Sequence, residues 1–301
     1  MGKVELFFNK NLPSRVDEIY DPLFDDKQLK VYVKRDDLLH PHISGNKWRK
    51  LKYLLMQAEV ESKKHIVSFG GAYSNHLPAL AAACHELGFD STGIIRGEEL
   101  NDESNAQLSF CKKKGMNLIF VGREKYKNKK QIFDEFLPWT PTSDNHFGQS
   151  STKLFVDEGG YSILGAKGCE AIIDELECEY DHIILPVGTG TTLAGMENAI
   201  NLSKTKLHGI VVLKGAEYLA EQIKILAPES TNWQLHHQFH AGGFAKATEE
   251  LLKFIQTKQM VWNIPFEPVY SGKMAFGFYR LASEGLFEEG TKVLMVHTGG
   301  L

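Results

Sequence analysis

Apolar residues recur along the chain with two periods, one typical of strands and the other of helices. Short runs rich in Val, Ile and Phe predict buried strands, and apolar residues every three to four positions predict amphipathic helices. The strands are predicted at residues 31–34, 65–69, 92–95, 117–121, 182–186, 207–213 and 292–296. The helices are predicted from residue 47 onward and at 75–87, 104–114, 125–136, 165–176, 191–202, 216–226, 246–258 and 273–284. This alternation predicts an α/β protein with parallel sheets covered by helices on both faces.

A polar, proline-containing stretch at residues 138–151 interrupts the alternation. Such a break is typical of a crossing between domains. We therefore expect two three-layer α/β domains, with the smaller one inserted in the larger. The large domain would comprise residues 1–51 and 152–301, and the small one residues 52–151. In open α/β sheets, ligands bind at the carboxyl ends of the strands, so we look for chemistry in the turns that follow them.

Composition excludes several classes of protein. The chain has 301 residues and a formal net charge of -4, without the basic surplus of a nucleic-acid-binding protein. No apolar run is long enough to span a bilayer, so no membrane partner is expected. The first residues lead to no small-residue cleavage site, which predicts a protein without a signal peptide that stays in the cytoplasm.

The cysteine and histidine patterns predict neither disulfides nor a metal site. The four cysteines are widely spaced and form no C-x-x-C, which favours reduced thiols. The histidine clusters at residues 40–42 and 236–240 have no neighbouring cysteine and no H-E-x-x-H spacing. We therefore assign no metal ligand.

Residues 44–51 place a lysine directly after a glycine-asparagine turn, at the start of a predicted helix. Asn46 can cap the first turn of that helix. Lys47 would lie at the positive end of the helix, where an ammonium is disfavoured and the pKa of the amine falls. A neutral amine is the nucleophile that forms Schiff bases with carbonyl cofactors. From these residues alone, a solvated surface lysine beside Arg49 and Lys50 is the alternative interpretation.

The turn at residues 186–195 joins a predicted strand to a predicted helix and contains glycines and threonines. Its backbone amides, hydroxyls and helix N-terminus are the groups that bind phosphate. Met196 stands where a Walker loop would have its lysine. Four residues separate Gly190 from Gly195, which does not match the dinucleotide-binding fingerprint. The turn therefore predicts a site for one phosphate group.

Three further turns at strand ends carry polar groups. Residues 69–76 expose a hydroxyl and an amide before a helix, although Ser74 or Asn75 could simply be an N-cap. Residues 268–273 place a tyrosine and a serine before another helix, and residues 297–300 follow the last strand. All three turns lie where active sites of open α/β sheets are found.

A lysine, a site for one phosphate and polar groups at strand ends together describe a pyridoxal phosphate site. The sequence resembles the family of D-cysteine desulfhydrase and 1-aminocyclopropane-1-carboxylate (ACC) deaminase, within the fold-type II, tryptophan synthase β-like, pyridoxal phosphate enzymes. The resemblance runs from about Val33 to Gly300. The motifs that carry it are G-N-K-x-R-K-L at residues 45–51, G-G-x-x-S-N at 70–75, T-G-T-T-x-A-G at 189–195, P-V-Y-x-G-K at 268–273 and H-T-G-G at 297–300.

The resemblance implies a role for each matching position. Lys47 would hold pyridoxal 5'-phosphate through a Schiff base and then act as general base at the substrate α-carbon. The cofactor-binding residues that it implies are Lys47, Lys50, Asn75, Gly188, Thr189, Gly190, Thr191, Thr192, Ser271 and Thr298. The substrate-binding residues that it implies are Tyr73, Ser74, Asn75, Phe244 and Tyr270, of which Ser74 and Tyr270 join Lys47 as catalytic residues. It also implies a small amino acid as substrate and a homodimer.

Two positions separate the two activities of this family. In the ACC deaminase pattern a glutamate follows the tyrosine of P-V-Y-x-G-K, and a leucine follows the histidine of the last motif. This chain has Ser271 and Thr298 there, which resembles D-cysteine desulfhydrase. A neutral hydroxyl near the ring nitrogen leaves that nitrogen less fully protonated, which suits β-elimination better than ring opening. The first expectation is therefore release of pyruvate, sulfide and ammonia from D-cysteine; the alternative is 2-oxobutyrate and ammonia from ACC.

Three positions depart from the family pattern. Phe244 replaces a tyrosine, His76 begins a segment that is usually Gln-Thr-Arg, and Trp48 is bulky beside Lys47. Each could change the substrate without changing the cofactor site. A second alternative therefore stays open, a pyridoxal phosphate-binding protein with little turnover.

Overall fold

The structure, a computed structural model, describes residues 1–129, 131–132, 152–200, 204–229 and 231–300. The chain forms two compact units. One, here called the inserted unit, comprises Met1–Lys10 and Leu51–Ser162, and the other, the main unit, comprises Asn11–Lys50 and Ile163–Leu301. The division into domains at residues 52–151 remains a prediction, and the compact units differ from it chiefly at the first ten residues.

The strands are β1 (Val16–Ile19), β2 (Lys30–Lys34), β3 (His65–Gly71), β4 (Asp90–Arg96), β5 (Asn117–Val121), β6 (Lys153–Val156), β7 (His182–Val187), β8 (Lys206–Val211), β9 (Trp233–His236) and β10 (Lys292–Val296). The helices are α1 (Lys3–Asn9), α2 (Pro22–Asp26), α3 (Asn46–Val60), α4 (His76–Leu87), α5 (Ala106–Lys113), α6 (Arg123–Lys127), α7 (Ile163–Asp174), α8 (Thr191–Ala199), α9 (Leu219–Leu226), α10 (Glu249–Trp262) and α11 (Ser271–Ser283). Short 3-10 helices cover Asp36–Leu38 and Glu158–Gly160.

Each unit is built on one sheet. The main unit has six strands in the order β1-β2-β10-β7-β8-β9, and the inserted unit has four in the order β5-β4-β3-β6. All neighbours are parallel except the edge pair β1 and β2. The predicted α/β class is thereby confirmed. The parallel strands direct their carboxyl ends to one edge of each sheet, where the predicted motifs follow β3, β7 and β10.

The first helix explains why residues 1–10 group with the inserted unit. Val4 and Phe8 of α1 are buried. The Lys3 Nζ donates to the Leu87 carbonyl at 2.8 Å, at the end of α4. This apolar face and this hydrogen bond attach α1 to α4, although the two are far apart in the sequence.

The predicted elements outside the described residues cannot be placed. The break at residues 138–151, the later part of the predicted helix at 125–136 and the last residues of that at 191–202 lie outside the described residues. Within the predicted helix at 125–136, the structure describes the end of α6 (Arg123–Lys127) and helical residues at 129, 131 and 132. In the described ranges no helix is long and apolar enough to cross a membrane.

Candidate active site

The turn before Lys47 is in close contact with the last motif of the chain, residues 297–300. Gly45 has a φ of +63°, and a Cβ on it would lie 1.8 Å from the Thr298 carbonyl oxygen. The Asn46 backbone N–H donates to the same oxygen at 3.2 Å. Only glycine permits this approach. The start of α3 is therefore fixed against the residues that follow β10.

Asn46 does not act as the expected helix cap. It is the first residue of α3, and its side-chain oxygen accepts from the Lys47 Nζ at 2.8 Å. Its amide nitrogen donates to the Thr192 hydroxyl at 2.9 Å. The prediction of a cap is wrong because the amide has two partners that are better placed, an amine and a hydroxyl of α8. Asn46 instead connects the lysine to the glycine-rich turn.

The pKa of Lys47 falls to about 7. Burial is the largest cause, and the positive charge of Lys50 adds to it, while Cys169 and Glu267 oppose the shift. The sequence attributed a lowered pKa to the helix end, whereas burial and Lys50 are the main causes. At neutral pH a substantial fraction of the amine is unprotonated and nucleophilic.

The turn between β7 and α8, at residues 188–192, carries the second group of predicted site residues. Gly190 precedes α8 with a φ of +78°. The Thr189 and Thr191 hydroxyls lie 2.8 Å apart. The buried Lys50 brings its Nζ to 3.5 Å from the Thr189 hydroxyl. An ammonium, two hydroxyls and the free amides of a helix start form a donor set that fits a phosphate.

Two glycines allow the helices that carry these groups to approach each other. A Cβ on Gly168 would lie 2.0 Å from the Arg49 carbonyl oxygen, and one on Gly195 would lie 2.1 Å from the Ala166 carbonyl oxygen. Helices α3, α7 and α8 are therefore in backbone contact at these points. This close packing places the starts of α3 and α8 side by side.

A buried ionic network holds the first turn of α3. Arg49 donates to Asp36 at 2.8 and 3.0 Å and to Glu175 at 2.8 Å. Lys34 donates to Glu175 at 2.9 Å. Burial alone would raise the pKa of Asp36, but the charge of Arg49 holds it below its usual value. Since each charge has a partner, the network anchors the turn that carries the two site lysines.

The turn that leads into α11 contains an acid that the sequence did not single out. The buried Glu267 carboxylate accepts the backbone N–H of Val269 at 2.5 Å, and those of Tyr270 and Ser271 at 2.7 Å each. Burial raises its pKa, and these N–H donors oppose the rise. An acid ahead of a predicted helix start is the signal that could have indicated it. Glu267 therefore fixes the turn that carries Tyr270 and Ser271.

The predicted substrate-binding aromatics of the main unit meet. The rings of Phe244 and Tyr270 are 6.0 Å apart at an interplanar angle of 70°. A Cβ on Gly188 would come within 3.3 Å of the Tyr270 ring, so the glycine-rich turn passes close beside it. The buried Lys273, also missed by the sequence, donates to the Gly243 carbonyl at 2.7 Å. It thereby ties the loop of Phe244 to α11.

Tyr73, Ser74 and Asn75 lie in the inserted unit, between β3 and α4. Tyr73 is exposed, and the Ser74 hydroxyl accepts from the His76 N–H at 3.2 Å. Ser74 thus makes the local helix-start bond that was its alternative explanation. The Asn75 side chain makes no capping bond to α4. Its role as a ligand group remains a prediction.

Two other side chains stabilise this turn. The Asn105 amide donates to the Ala72 carbonyl at 3.0 Å, while its oxygen accepts from the Leu108 N–H and caps α5. The buried His76 ring lies 2.8 Å from the Ser68 hydroxyl. The histidine that departs from the family pattern is therefore engaged with β3.

The remaining departure and the histidine clusters have structural contacts. Trp48 is buried and stacks on His40 at 5.3 Å. His208 lies between His182 and His236, with a ring nitrogen 3.0 Å from each. Across the residues that the structure covers, no three His, Cys, Asp or Glu side chains are grouped to hold a metal ion.

The main unit therefore contains a buried amine of lowered pKa next to a turn whose hydrogen-bond donors fit an anion. Asn46 bonds both Lys47 and Thr192, and Lys50 reaches Thr189. An amine for a carbonyl and donors for a phosphate are what pyridoxal phosphate requires, so the residues present fit this cofactor.

Comparisons with known proteins agree with this chemistry. The family model "Pyridoxal-phosphate dependent enzyme" matches residues 20–299. A Pyrococcus furiosus protein provisionally named 1-aminocyclopropane-1-carboxylate deaminase is 29% identical over 90% of this chain and 84% of its own length. The Arabidopsis thaliana bifunctional D-cysteine desulfhydrase/1-aminocyclopropane-1-carboxylate deaminase is 28% identical over 90% of this chain and 72% of its own length. The crystal structure of an ACC deaminase homologue has a TM-score of 0.82 and 25% identity, covering 100% of this chain and 96% of that one.

Proposed function

The chain belongs to the pyridoxal-phosphate dependent enzymes, and on that premise we propose that it is a lyase or deaminase of small amino acids with D-cysteine as first substrate. The observation that carries the proposal is the contact set of Lys47. Its amine has a pKa of about 7 and bonds Asn46, which in turn bonds Thr192 of the anion-binding turn.

The residues proposed to hold the cofactor lie in the main unit, apart from Asn75. Lys47 would bind its carbonyl carbon, and Lys50 with residues 188–192 would bind its phosphate. Ser271 would face the ring nitrogen, with Thr298 beside it. When bound, pyridoxal phosphate supplies an electron sink that stabilises negative charge at the substrate α-carbon.

Lys47 would move the proton at the α-carbon. Once the substrate amine has displaced it, the neutral Nζ would take this proton, and the ammonium so formed would give a proton to the sulfide that leaves the β-carbon. The Asn46 oxygen, 2.8 Å away, directs Nζ. Ser74 and Asn75 would bind the substrate carboxylate, and Tyr270 with Phe244 would line its side chain.

D-cysteine is proposed first because Ser271 and Thr298 occupy the two positions that distinguish the activities. ACC is the second candidate, supported by the names of the Pyrococcus furiosus relative and of the solved homologue. The bifunctional Arabidopsis thaliana relative supports both. We also propose a homodimer, on the resemblance alone, and a cytoplasmic location, on the cysteine pattern that favours reduced thiols.

The experiment that decides is keto acid analysis after cofactor-loaded protein is incubated with equal amounts of D-cysteine and ACC. Pyruvate with sulfide would support β-elimination of D-cysteine. 2-Oxobutyrate alone would make ACC the substrate. Bound cofactor without either keto acid would favour the cofactor-binding protein with little turnover.

The assignment of Lys47 has its own test. In Lys47→Ala the visible absorbance of the lysine-bound cofactor should disappear, and borohydride should no longer attach the cofactor irreversibly to the peptide around residue 47. Lys50→Ala is the matched control, because it removes a nearby ammonium but leaves the amine. It should keep the band at saturating cofactor, with affinity weakened by roughly tenfold to a hundredfold through the lost charge-assisted bond. Irreversible labelling of Lys47→Ala at another lysine would refute the assignment.

A further inference from the structure

The Ser271 hydroxyl forms two hydrogen bonds with a single residue, Glu267. Ser271 is fully buried, and Glu267, four residues earlier, is also buried. The Glu267 backbone N–H donates to the Ser271 Oγ at 3.1 Å. The Ser271 Oγ in turn donates to the Glu267 Oε1, 3.3 Å away. Both contacts join the turn before α11 to the first residue of that helix.

The hydrogen bonds that this hydroxyl already makes determine which further hydrogen bond it can form. A serine hydroxyl has one hydrogen and two acceptor lone pairs. The Glu267 N–H uses one lone pair, and the Glu267 carboxylate takes the hydrogen. One lone pair remains. Ser271 can therefore accept a hydrogen bond from a ligand but has no hydrogen to donate to it.

The hydrogen-bond donors around Glu267 favour the charged form that makes it an acceptor, and they oppose the burial that raises its pKa. Every recorded partner of its carboxylate is a donor, namely three backbone N–H groups and the hydroxyl. The carboxylate lies at the N-terminal end of the 13-residue α11, where the helix dipole stabilises negative charge. Hydrogen bonds to an ionised acceptor are stronger than neutral ones, so the hydroxyl hydrogen is held toward Glu267.

We propose that Glu267 is a positioning residue that commits the Ser271 hydroxyl to accept a hydrogen bond, so that the pyridine nitrogen of the cofactor keeps a proton and donates a hydrogen bond to Ser271. The inference rests on the proposed function, which places Ser271 at the ring nitrogen. It reverses the expectation that a neutral hydroxyl leaves this nitrogen less protonated. A protonated ring is the stronger electron sink, so the Glu267–Ser271 pair supports harder chemistry than a serine alone.

The test is the nitrogen chemical shift of cofactor labelled with 15N at the ring, bound to the full chain and followed from pH 6 to pH 9. In the unaltered protein the shift should be that of a protonated ring. Glu267→Gln can still accept backbone N–H groups but is uncharged, and Ser271→Ala removes the acceptor. Both should lower the apparent pKa of the ring nitrogen by at least about one unit, a tenfold change. Ser271→Thr keeps the hydroxyl and should retain the protonated shift.

The phosphorus shift of the same samples is the control, since residues 188–192 are unaltered and it should not move. An unprotonated ring in the starting protein, or no change in Ser271→Ala, would overturn the inference. So would a Glu267→Gln protein whose ring stays as protonated as before. If Glu267→Gln fails to fold, the nitrogen shifts of Ser271→Ala and Ser271→Thr are compared instead. Different shifts support the inference, and equal shifts overturn it.

Failure of the proposed function is distinguishable from failure of this inference. If no keto acid forms from either amino acid while the nitrogen shift responds as expected, the function is wrong and the hydrogen-bond assignment stands. If keto acid forms while the nitrogen shift is insensitive to both residues, the function stands and Glu267 has only a structural role.

Discussion

The chemistry of Lys47 depends on two neighbours of its amine, the protein interior and Lys50. Because the pKa is lowered to about 7, the neutral fraction should rise from about a tenth at pH 6 to about nine-tenths at pH 8. The rate at which cofactor-free protein reacts with an aldehyde should rise over the same range. Pyridoxal is the suitable probe, because it lacks the phosphate that Lys50 would bind.

Lys50→Met removes a positive charge near the Lys47 amine. The midpoint of the rate of reaction with pyridoxal against pH should therefore move to higher pH, so that the reaction at pH 7 becomes slower. Lys52→Met, on the same helix, is the control, since the Lys52 Nζ bonds Asn9 and does not contribute to the shift of the Lys47 pKa. Stopped-flow absorbance measures the reaction rates of both variants. A rate that does not change between pH 6 and pH 8 would contradict the lowered pKa.

At the residue scale the sequence indicated the groups of the site better than their contacts. Lys47 and the glycine-threonine turn could be found because residue type and local spacing suffice. The partner of Asn46 is Thr192, which lies 146 positions away, so no local pattern could show that the amide leaves its helix. Glu267 was missed for a different reason: three of the four partners of its carboxylate are backbone N–H groups, which no side-chain pattern reveals, so only its place before a helix could have indicated it.

At the scale of elements, the site depends on the close contact of α3, α7 and α8. Gly168→Ala would place a Cβ against the Arg49 carbonyl, so the helices must separate. We expect a loss of about 1–3 kcal/mol in the free energy of unfolding, typical of overpacking. Cofactor affinity should fall too, because α3 carries both site lysines.

Chemical denaturation and cofactor titration measure the two effects of Gly168→Ala. Lys167→Ala is the matched control, being the adjacent residue on α7 with an exposed side chain paired to Glu170. It should change stability by no more than about 0.5 kcal/mol. Equal behaviour of the two variants would show that the backbone contact does not determine the site.

Strands β7, β8 and β9 carry a second element-scale feature, the row His182, His208 and His236. Burial, followed by the charges of its two histidine neighbours, lowers the pKa of His208 to about 3. The unfolded chain therefore binds this proton first, near pH 6.5. Stability should be lost as the pH falls from about 6.5 toward 3, by about 1.4 kcal/mol per pH unit for each such histidine.

Urea unfolding at pH 7, 6 and 5 tests this dependence. His208→Gln removes the titrating ring and should flatten the pH dependence, even if it lowers stability at pH 7. His85→Gln changes an exposed histidine of α4 and should leave the slope unaltered. A His208→Gln protein as acid-sensitive as the original would show that other groups cause the loss.

The elements that could be predicted are those with long apolar periods. The predictions for β5 and β10 match the structure residue for residue, and the main helices were found within a few positions. β1, β6 and β9 were missed, and each is only four residues long. A four-residue edge strand such as Val16–Ile19 is specified by pairing with β2 rather than by its own composition, so a local pattern does not reveal it.

At the scale of the whole molecule, the predicted chemistry is divided between two units that each have a sheet and a core of their own. The proposed carbonyl, phosphate and ring-nitrogen contacts all lie in the main unit. The proposed carboxylate contacts lie in the turn after β3, in the inserted unit. Binding of the cofactor should therefore act mainly on the main unit, and binding of a substrate carboxylate on the inserted unit.

Hydrogen exchange separates these effects, because binding slows exchange where it suppresses local opening. Added pyridoxal phosphate should slow exchange of residues 43–50, 188–192, 267–273 and 297–300, and of residue 75 through the cofactor contact predicted for Asn75. Glycine, an amino acid without a β-leaving group, should then slow exchange of residues 71–76 further, whereas methylamine, which lacks the carboxylate, should add no protection there. Helix α10 serves as the internal control and should not respond. If glycine and methylamine protect residues 71–76 equally, Ser74 and Asn75 do not bind the substrate carboxylate, and the substrate site must be sought on the main unit alone.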